Sequence, residues 1–309
     1  MTNKKITIVL ATYNGELYLR EQLDSIFKQS FLDYQLLIGD DCSTDNTVKI
    51  IEEYQLKYQN IHLLCNSKRL GHVSNFENLI KQVDKGYIAL CDQDDIWYED
   101  KLLEAMNALQ STDDINLPIL FHSDLLGINT KKVKIYDSFF LKRGYSFPKK
   151  KSIDIMLGRS GIMGNTMVFN QALKEKILPF PKDLIVHDYW IALVNEFMGK
   201  RITFPNVLLK YRIHEGNTSK TFRPSSKKNF LRKSIILPYH NIQREKVLEE
   251  FKKRFTFKSE DLQILNIFLE YLYFKKDKLF LMSLVSQYDF FRLGFGYKLK
   301  LYGAIIWKK

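Results

Sequence analysis

Four short apolar runs, each followed by an amphipathic stretch, occupy the first 110 residues, and this alternation limits the fold more than any other feature. Residues 6–11, 35–39, 61–65 and 87–91 read as strands. Residues 16–29, 45–58, 73–83 and 99–110 carry apolar side chains at helical spacing, as with Leu19, Leu23, Ile26 and Phe27 in the first. A β-α-β-α order predicts a mainly parallel sheet with helices on both faces. Ligands of such sheets bind at the carboxyl ends of the strands. Three polar motifs start there: ATYNG at 11–15, GDDCSTDNT at 39–47 and CDQDDIW at 91–97.

Each motif carries groups suited to a nucleotide and its phosphates. Asp92, Asp94 and Asp95 follow a buried-type strand, where acids are costly unless paired or metal-bound. They point to a hard divalent cation and a phosphorylated ligand, or, more plainly, to a solvated turn capping the next helix. Asn14-Gly15 favours a tight turn that could bring Tyr13 and the backbone to a nucleotide, or simply connect strand to helix. One of Asp40 and Asp41 could accept a hydrogen bond from a base N–H, while Asp45 suits a helix N-cap. Lys68 and Arg69, before LGHVSNFE at 70–77, could neutralise a diphosphate or be solvated loop charges.

The middle is less regular. Strands are expected at 118–123, 165–169, 201–204 and 207–213, and helices at 171–177 and 187–198. The first of these strands should end at His122 and Asp124. Residues 149–151 and 158–164 read as loops, and 222–235 as a hinge before helices at 239–251, 261–273 and 278–291. The predicted domains are therefore a catalytic region over 1–221 and a basic helical region over 222–309.

Charge divides the chain at the same place. Residues 220–309 hold 20 Lys/Arg against 8 Asp/Glu, which accounts for the whole formal charge of +12. Bases alternate with aromatics there, as in Phe251-Lys252-Lys253-Arg254-Phe255, Phe274-Lys275-Lys276 and the stretch 297–309. An anionic membrane surface, plain packing on the catalytic region, and nucleic acid are the three readings, nucleic acid the least favoured. No run reaches the roughly 20 apolar residues of a membrane span. The N-terminal apolar run is too short for a secretory signal. Cys42, Cys65 and Cys91 lack zinc or disulfide spacing, which fits a reducing cytosol.

ATYNG, DDCSTDNT, LGHVSNFE, CDQDDIW, GNTMVFN, HDYW and YRIHEGN, in that order over residues 5–219, make the chain resemble the family 2 glycosyltransferases. Within them it resembles bacterial dTDP-rhamnose-dependent rhamnosyltransferases. The resemblance implies a GT-A fold: an α/β, Rossmann-like, mixed and mainly parallel sheet, here with a C-terminal helical extension. It implies an inverting transferase that uses Mg²⁺ or Mn²⁺, a nucleotide-sugar donor and a glycan or lipid-linked acceptor. It places Asp188 of HDYW as general base, an acid that the N-terminal helix dipole would also favour. Asp94, with His214, would hold the metal. Thr12, Tyr13, Asn14, Asp40, Asp41, Arg69, Asn75, Asp92 and Arg212 would face the donor. Gly164, Asn165, His187 and Trp190 would face the acceptor, Trp190 against a sugar or the core. His122 and Asp124 would line the donor sugar pocket.

Asp95 is expected to be structural. Many members of the family carry Gly where this chain has Cys42 and Gln where it has Ile213. The expected setting is cytoplasmic, peripheral on the inner face of the cell membrane, with self-association left open. A UDP-hexose donor, or a non-catalytic nucleotide-sugar or polyanion binder, are the alternatives.

Overall fold

β1 (Ile6–Thr12) is buried along nearly its whole length, as a central strand covered on both faces must be, and it pairs in parallel with β2 (Tyr34–Asp40) on one side and β4 (Tyr87–Cys91) on the other. β3 (Ile61–Cys65) adds to β2, again in parallel. The computed structural model describes residues 5–111, 116–145, 147, 151–217 and 242–273, together with 283, 286–288 and 290. The sheet continues through β8 (Val168–Asn170), β6 (Ile119–Ile128), β9 (Lys200–Arg212) and β5 (Ile96–Trp97), in the order β3-β2-β1-β4-β8-β6-β9-β5. β7 (Lys134–Tyr136) pairs with β6. Crossovers run through α1 (Leu19–Ile26), α2 (Thr47–Gln55), α3 (His72–Lys81) and α4 (Lys101–Gln110), each with a buried apolar stripe. This is the expected mixed, mainly parallel sheet.

Register brings the motifs together. Thr12 lies opposite Asp40, Asp40 opposite Cys65, and Leu10 opposite Cys91. The loops after β1, β2, β3 and β4 therefore leave one edge of the sheet side by side.

Three local expectations are corrected. β6 does not end at His122 but runs to Ile128, with His122 and Asp124 fully buried within it. His122 Nε2 meets Thr203 Oγ1 at 2.8 Å. Asp124 accepts from the backbone N–H of Phe139 and Phe140 and from Ser138, at the start of α5 (Phe139–Arg143). Neither residue lines a sugar pocket. The two strands expected over 201–213 are one strand, β9, whose register jumps between Ser123↔Phe204 and Asp124↔Val207. The extra residues include Pro205, which cannot donate to the ladder and so sits at the irregularity. Residues 158–164 are not one loop: α6 (Ile153–Arg159) takes the start, and a 3₁₀ turn (Gly164–Thr166) the end.

α7 (Gln171–Ile177) and α8 (His187–Met198) fall where helical spacing placed them. The chain divides into two compact units. The first comprises 1–149, 162–180 and 186–216, and the second 150–161, 181–185 and 217–309. In the second unit α6 packs on α10 (Ser259–Tyr273), which also meets α9 (Ile242–Arg254). Its core includes Leu248, Phe251, Leu265 and Phe268. The aromatics of the 251–255 stretch are thus turned inward, with Phe251 against Phe255 and Phe257. The expected hinge at 222–235, most of the helix expected at 278–291 and the basic aromatic stretches 274–276 and 297–309 lie outside the described residues. Among the described residues no helix is long and apolar enough to cross a membrane.

Candidate active site

The loop after β1 is held by the loop after β4. Gln93 accepts from the Tyr13 N–H (2.9 Å) and donates to the Tyr13 carbonyl (3.1 Å), a two-way clamp across 80 residues of sequence. A Cβ on Gly15 would lie 2.4 Å from Gln93 Oε1, so only glycine lets the two loops approach this closely. Asn14 takes a left-handed φ of 47°, and its side chain accepts from Thr44 N–H. Tyr13 is part-exposed, and the Arg69 guanidinium stacks over its ring at 3.9 Å. These two donor-side candidates therefore form one surface.

Asp40 and Asp41 are each buried and already carry three hydrogen bonds. Asp40 accepts from Thr12 Oγ1, Ser43 N–H and Ser43 Oγ. Asp41 accepts from Asn66 Nδ2 and from the backbone N–H of Leu70 and Gly71. Both acids fix loops around the Tyr13–Arg69 pair. Asn75 is buried between Gly39 O and Asn66 and serves the same scaffold, not the cleft surface. Thr12, bonded to Asp40, is buried as well.

The acids of CDQDDIW separate into two kinds. Asp95 is fully buried and accepts from Asn165 Nδ2 and, at 3.1 Å, from the Arg212 N–H. It ties together the 164–166 turn and the end of β9, as expected of a structural acid. Asp92 and Asp94 remain part-exposed. Asp94 Oδ2 meets His214 Nε2 at 2.8 Å. Desolvation, then the charges of Asp94 and Asp188, push the Asp92 carboxyl well above the usual carboxylate range.

Asp188 lies in the first turn of α8, part-exposed beside the 164–166 turn. A Cβ on Gly164 would sit 3.5 Å from the Asp188 Cβ and 3.0 Å from His187 Nε2. Desolvation raises the Asp188 carboxyl to about 6, against hydrogen bonds at Tyr189 and Gly164 that favour the ionised form. A carboxyl poised there is suited to taking a proton near neutral pH.

Several candidates lie behind this surface. Trp190 is fully buried and donates to Ile177 O, so it belongs to the core and cannot face an acceptor. Asn165 is buried between Asp95 and the Lys101 ammonium, which donates to its carbonyl at 3.0 Å. His187 is buried and stacked on Phe76 at 4.3 Å. The Arg212 side chain is 1% exposed, with its guanidinium on Glu21, so it does not present itself to a diphosphate.

Gln93, Glu21 and Lys101 were missed. Lys101 left a trace in the sequence, since it precedes Leu102, Ala105, Met106 and Leu109 on a buried helix face. Gln93 and Glu21 left none. A cavity of about 540 Å³ opens among Glu21, Ser25, Trp97, Tyr98, Lys132 and Lys210, away from Asp92, Asp94 and Asp188.

The donor chemistry at Asp94 and His214, one carboxylate oxygen and one imidazole nitrogen in contact, fits a divalent ion such as Mn²⁺. Among the described residues no three His, Cys, Asp or Glu side chains converge on one point. An ion held there would take only these two side chains from the described residues, with substrate phosphates and water completing its shell.

Residues 7–177 match the model of Glycosyl transferase family 2. The chain belongs to that family. It is 48% identical over 105 residues to the dTDP-rhamnosyl transferase RfbG of Shigella flexneri, covering 32% of this chain and 36% of that protein. It is 25% identical over 226 residues to an uncharacterized glycosyltransferase of Haemophilus influenzae, covering 70% and 68%. The first curated relatives are spanned over only 36% to 59% of their length. Among solved structures, S. aureus TarS 1-349 in complex with UDP superposes with a TM-score of 0.58 at 16% identity, over 97% of this chain and 90% of that one. The mannosyltransferase PcManGT from Pyrobaculum calidifontis, in complex with GDP-Man and Mn²⁺, gives 0.57 at 15%, over 97% and 79%. These neighbours establish the GT-A fold.

Proposed function

We propose that this member of the family is an inverting, metal-dependent glycosyltransferase that moves L-rhamnose from dTDP-β-L-rhamnose to a glycan or lipid-linked acceptor of a bacterial surface polysaccharide. The observation that carries this is geometric: the loop holding Asp92 and the Asp94–His214 pair is tied through Asp95 and Asn165 to the 164–166 turn that lies against Asp188. Asp188, a carboxyl of raised proton affinity, is electrostatically coupled to Asp92, which is coupled in turn to the Asp94–His214 pair. The acceptor oxygen attacks the anomeric carbon and gives its proton to the Asp188 carboxylate. The bond from that carbon to the donor diphosphate breaks, and the nucleoside diphosphate leaves with the electron pair. A divalent ion held at Asp94 and His214 would supply positive charge for that leaving group. Tyr13 and Arg69 offer an aromatic and cationic surface for the nucleotide.

The rhamnosyl assignment is supported by the partial match to the Shigella protein, and metal use by the donor set at Asp94 and His214. The membrane setting rests on the basic C-terminal region, whose charge suits a lipid-linked acceptor. A UDP-hexose donor is the second reading, since uracil and thymine share the imide edge and the TarS structures hold UDP and UDP-GlcNAc. A donor panel scored by release of nucleoside diphosphate separates the two. Release from dTDP-rhamnose alone supports the first, release from a UDP-hexose replaces it, and no release from any donor favours a binding protein.

A further inference from the structure

The geometry points to Glu21 as a positioning residue for the diphosphate side of the site, acting through the buried guanidinium of Arg212. The inference rests on the reading of Asp94 and His214 given above. Glu21 stands on α1, Arg212 at the end of β9, and Asp94 in the loop between β4 and β5. Arg212 Nη2 donates to Glu21 Oε2 at 2.5 Å, and Arg212 Nε donates to the Asp94 carbonyl at 2.9 Å. The Arg212 backbone N–H is fixed on Asp95. The same guanidinium lies over the Tyr18 ring at 4.7 Å, and that ring packs on His214 at 4.9 Å. One cation therefore braces the backbone of one ligand candidate and the ring beneath the other.

A guanidinium held out of water needs a charged acceptor, and Glu21 provides it. Partial burial works against its ionisation, yet bonds from Lys132 and Arg212 hold its carboxyl below the ordinary range. Lys132 Nζ meets the other oxygen, Oε1, at 2.6 Å. Both oxygens are thus engaged, and Glu21 is set in orientation as well as in charge. Its place is that of the outer partners that orient ligand side chains around catalytic metals.

The test compares the full chain with Glu21→Ala, with Glu21→Gln, which keeps an acceptor oxygen for Arg212, and with Glu53→Ala as an exposed control. Hydrogen exchange is followed without metal over peptides covering 91–97 and 211–217. Binding of dTDP and of UDP is titrated in Mn²⁺. Glu21→Ala takes the carboxylate away from the buried Arg212 charge, so it should lower the melting temperature, and exchange in those two segments should rise by more than that global loss accounts for. It should weaken nucleotide binding about 10- to 100-fold, the usual effect of losing an outer partner, with Glu21→Gln restoring most of the loss. Exchange and binding like the parent's would overturn the relay. So would exchange that rises evenly throughout the chain, no more in those two segments than the fall in melting temperature accounts for, the mark of a merely structural residue. If the parent binds neither nucleotide, the dTDP- and UDP-donor readings fail, and the exchange result still decides whether Glu21 braces the two segments.

Discussion

Asp188 is the residue on which the proposed chemistry turns, and its environment gives that chemistry a pH signature. A general base works only when ionised, and this carboxyl is raised to about 6 by desolvation. Turnover should be full above that value and fall as pH drops through it, about tenfold per unit below. Asp188→Asn should abolish transfer in a folded protein, as should Asp94→Ala. Near-normal turnover in either would remove that residue from the mechanism. Cys42 sits at a left-handed φ of 64°, a conformation that glycine adopts without strain. Cys42→Gly should raise stability by about 0.5–1 kcal/mol, the left-handed cost less the extra chain entropy glycine loses. The shift in denaturant midpoint measures it.

Elements are held in this fold by acids as much as by apolar stripes. Asp124 caps α5 from within β6, accepting from Leu125, Phe139 and Phe140 N–H and from the Ser138 hydroxyl. Asp124→Ala would strand several part-buried donors. It should cost at least about 3 kcal/mol in urea unfolding, at about 1 kcal/mol or more for each group left unpaired. A change within experimental error would show that water replaces the cap. Helices and strands of the first 110 residues, the two-residue β5 apart, were legible within a few residues, because period-2 and period-3.6 apolar patterns mark them directly. β6 and β9 were not. Their polar residues read as strand ends, yet they are satisfied by partners as distant in sequence as Thr203 and Phe139.

At the scale of the whole molecule, the segments 150–161 and 181–185 join the C-terminal unit, although the sequence reading grouped them with the catalytic region. Deleting the tail would therefore uncover the face of α6 that packs on α10, and would be a poor test of membrane association. Substitution suits the purpose better. Lys252, Lys253 and Arg254 form the basic last turn of α9, with Phe251 turned inward. Replacing all three by Gln should weaken sedimentation with phosphatidylglycerol vesicles about 100-fold, at about 1 kcal/mol per base near an anionic surface. Unchanged sedimentation would remove this turn from the proposed membrane contact.

The sequence by itself determined the β-α alternation, the strand ends at which polar motifs leave the sheet, the family, and the charge division at residue 220. Each is written in local periodicity or in contiguous residues. Only the tertiary structure decided which polar residues stay open to solvent. Asp92, Asp94, Asp188 and Tyr13 remain part-exposed, while Asp40, Asp41, Asn75, Asn165 and Arg212 are bonded into the scaffold beneath. A one-dimensional pattern cannot make that division, because a buried polar group and a ligand-binding one look alike until their partners are known. Those partners, Gln93 for Tyr13 and Glu21 for Arg212, lie 80 and 191 residues away along the chain.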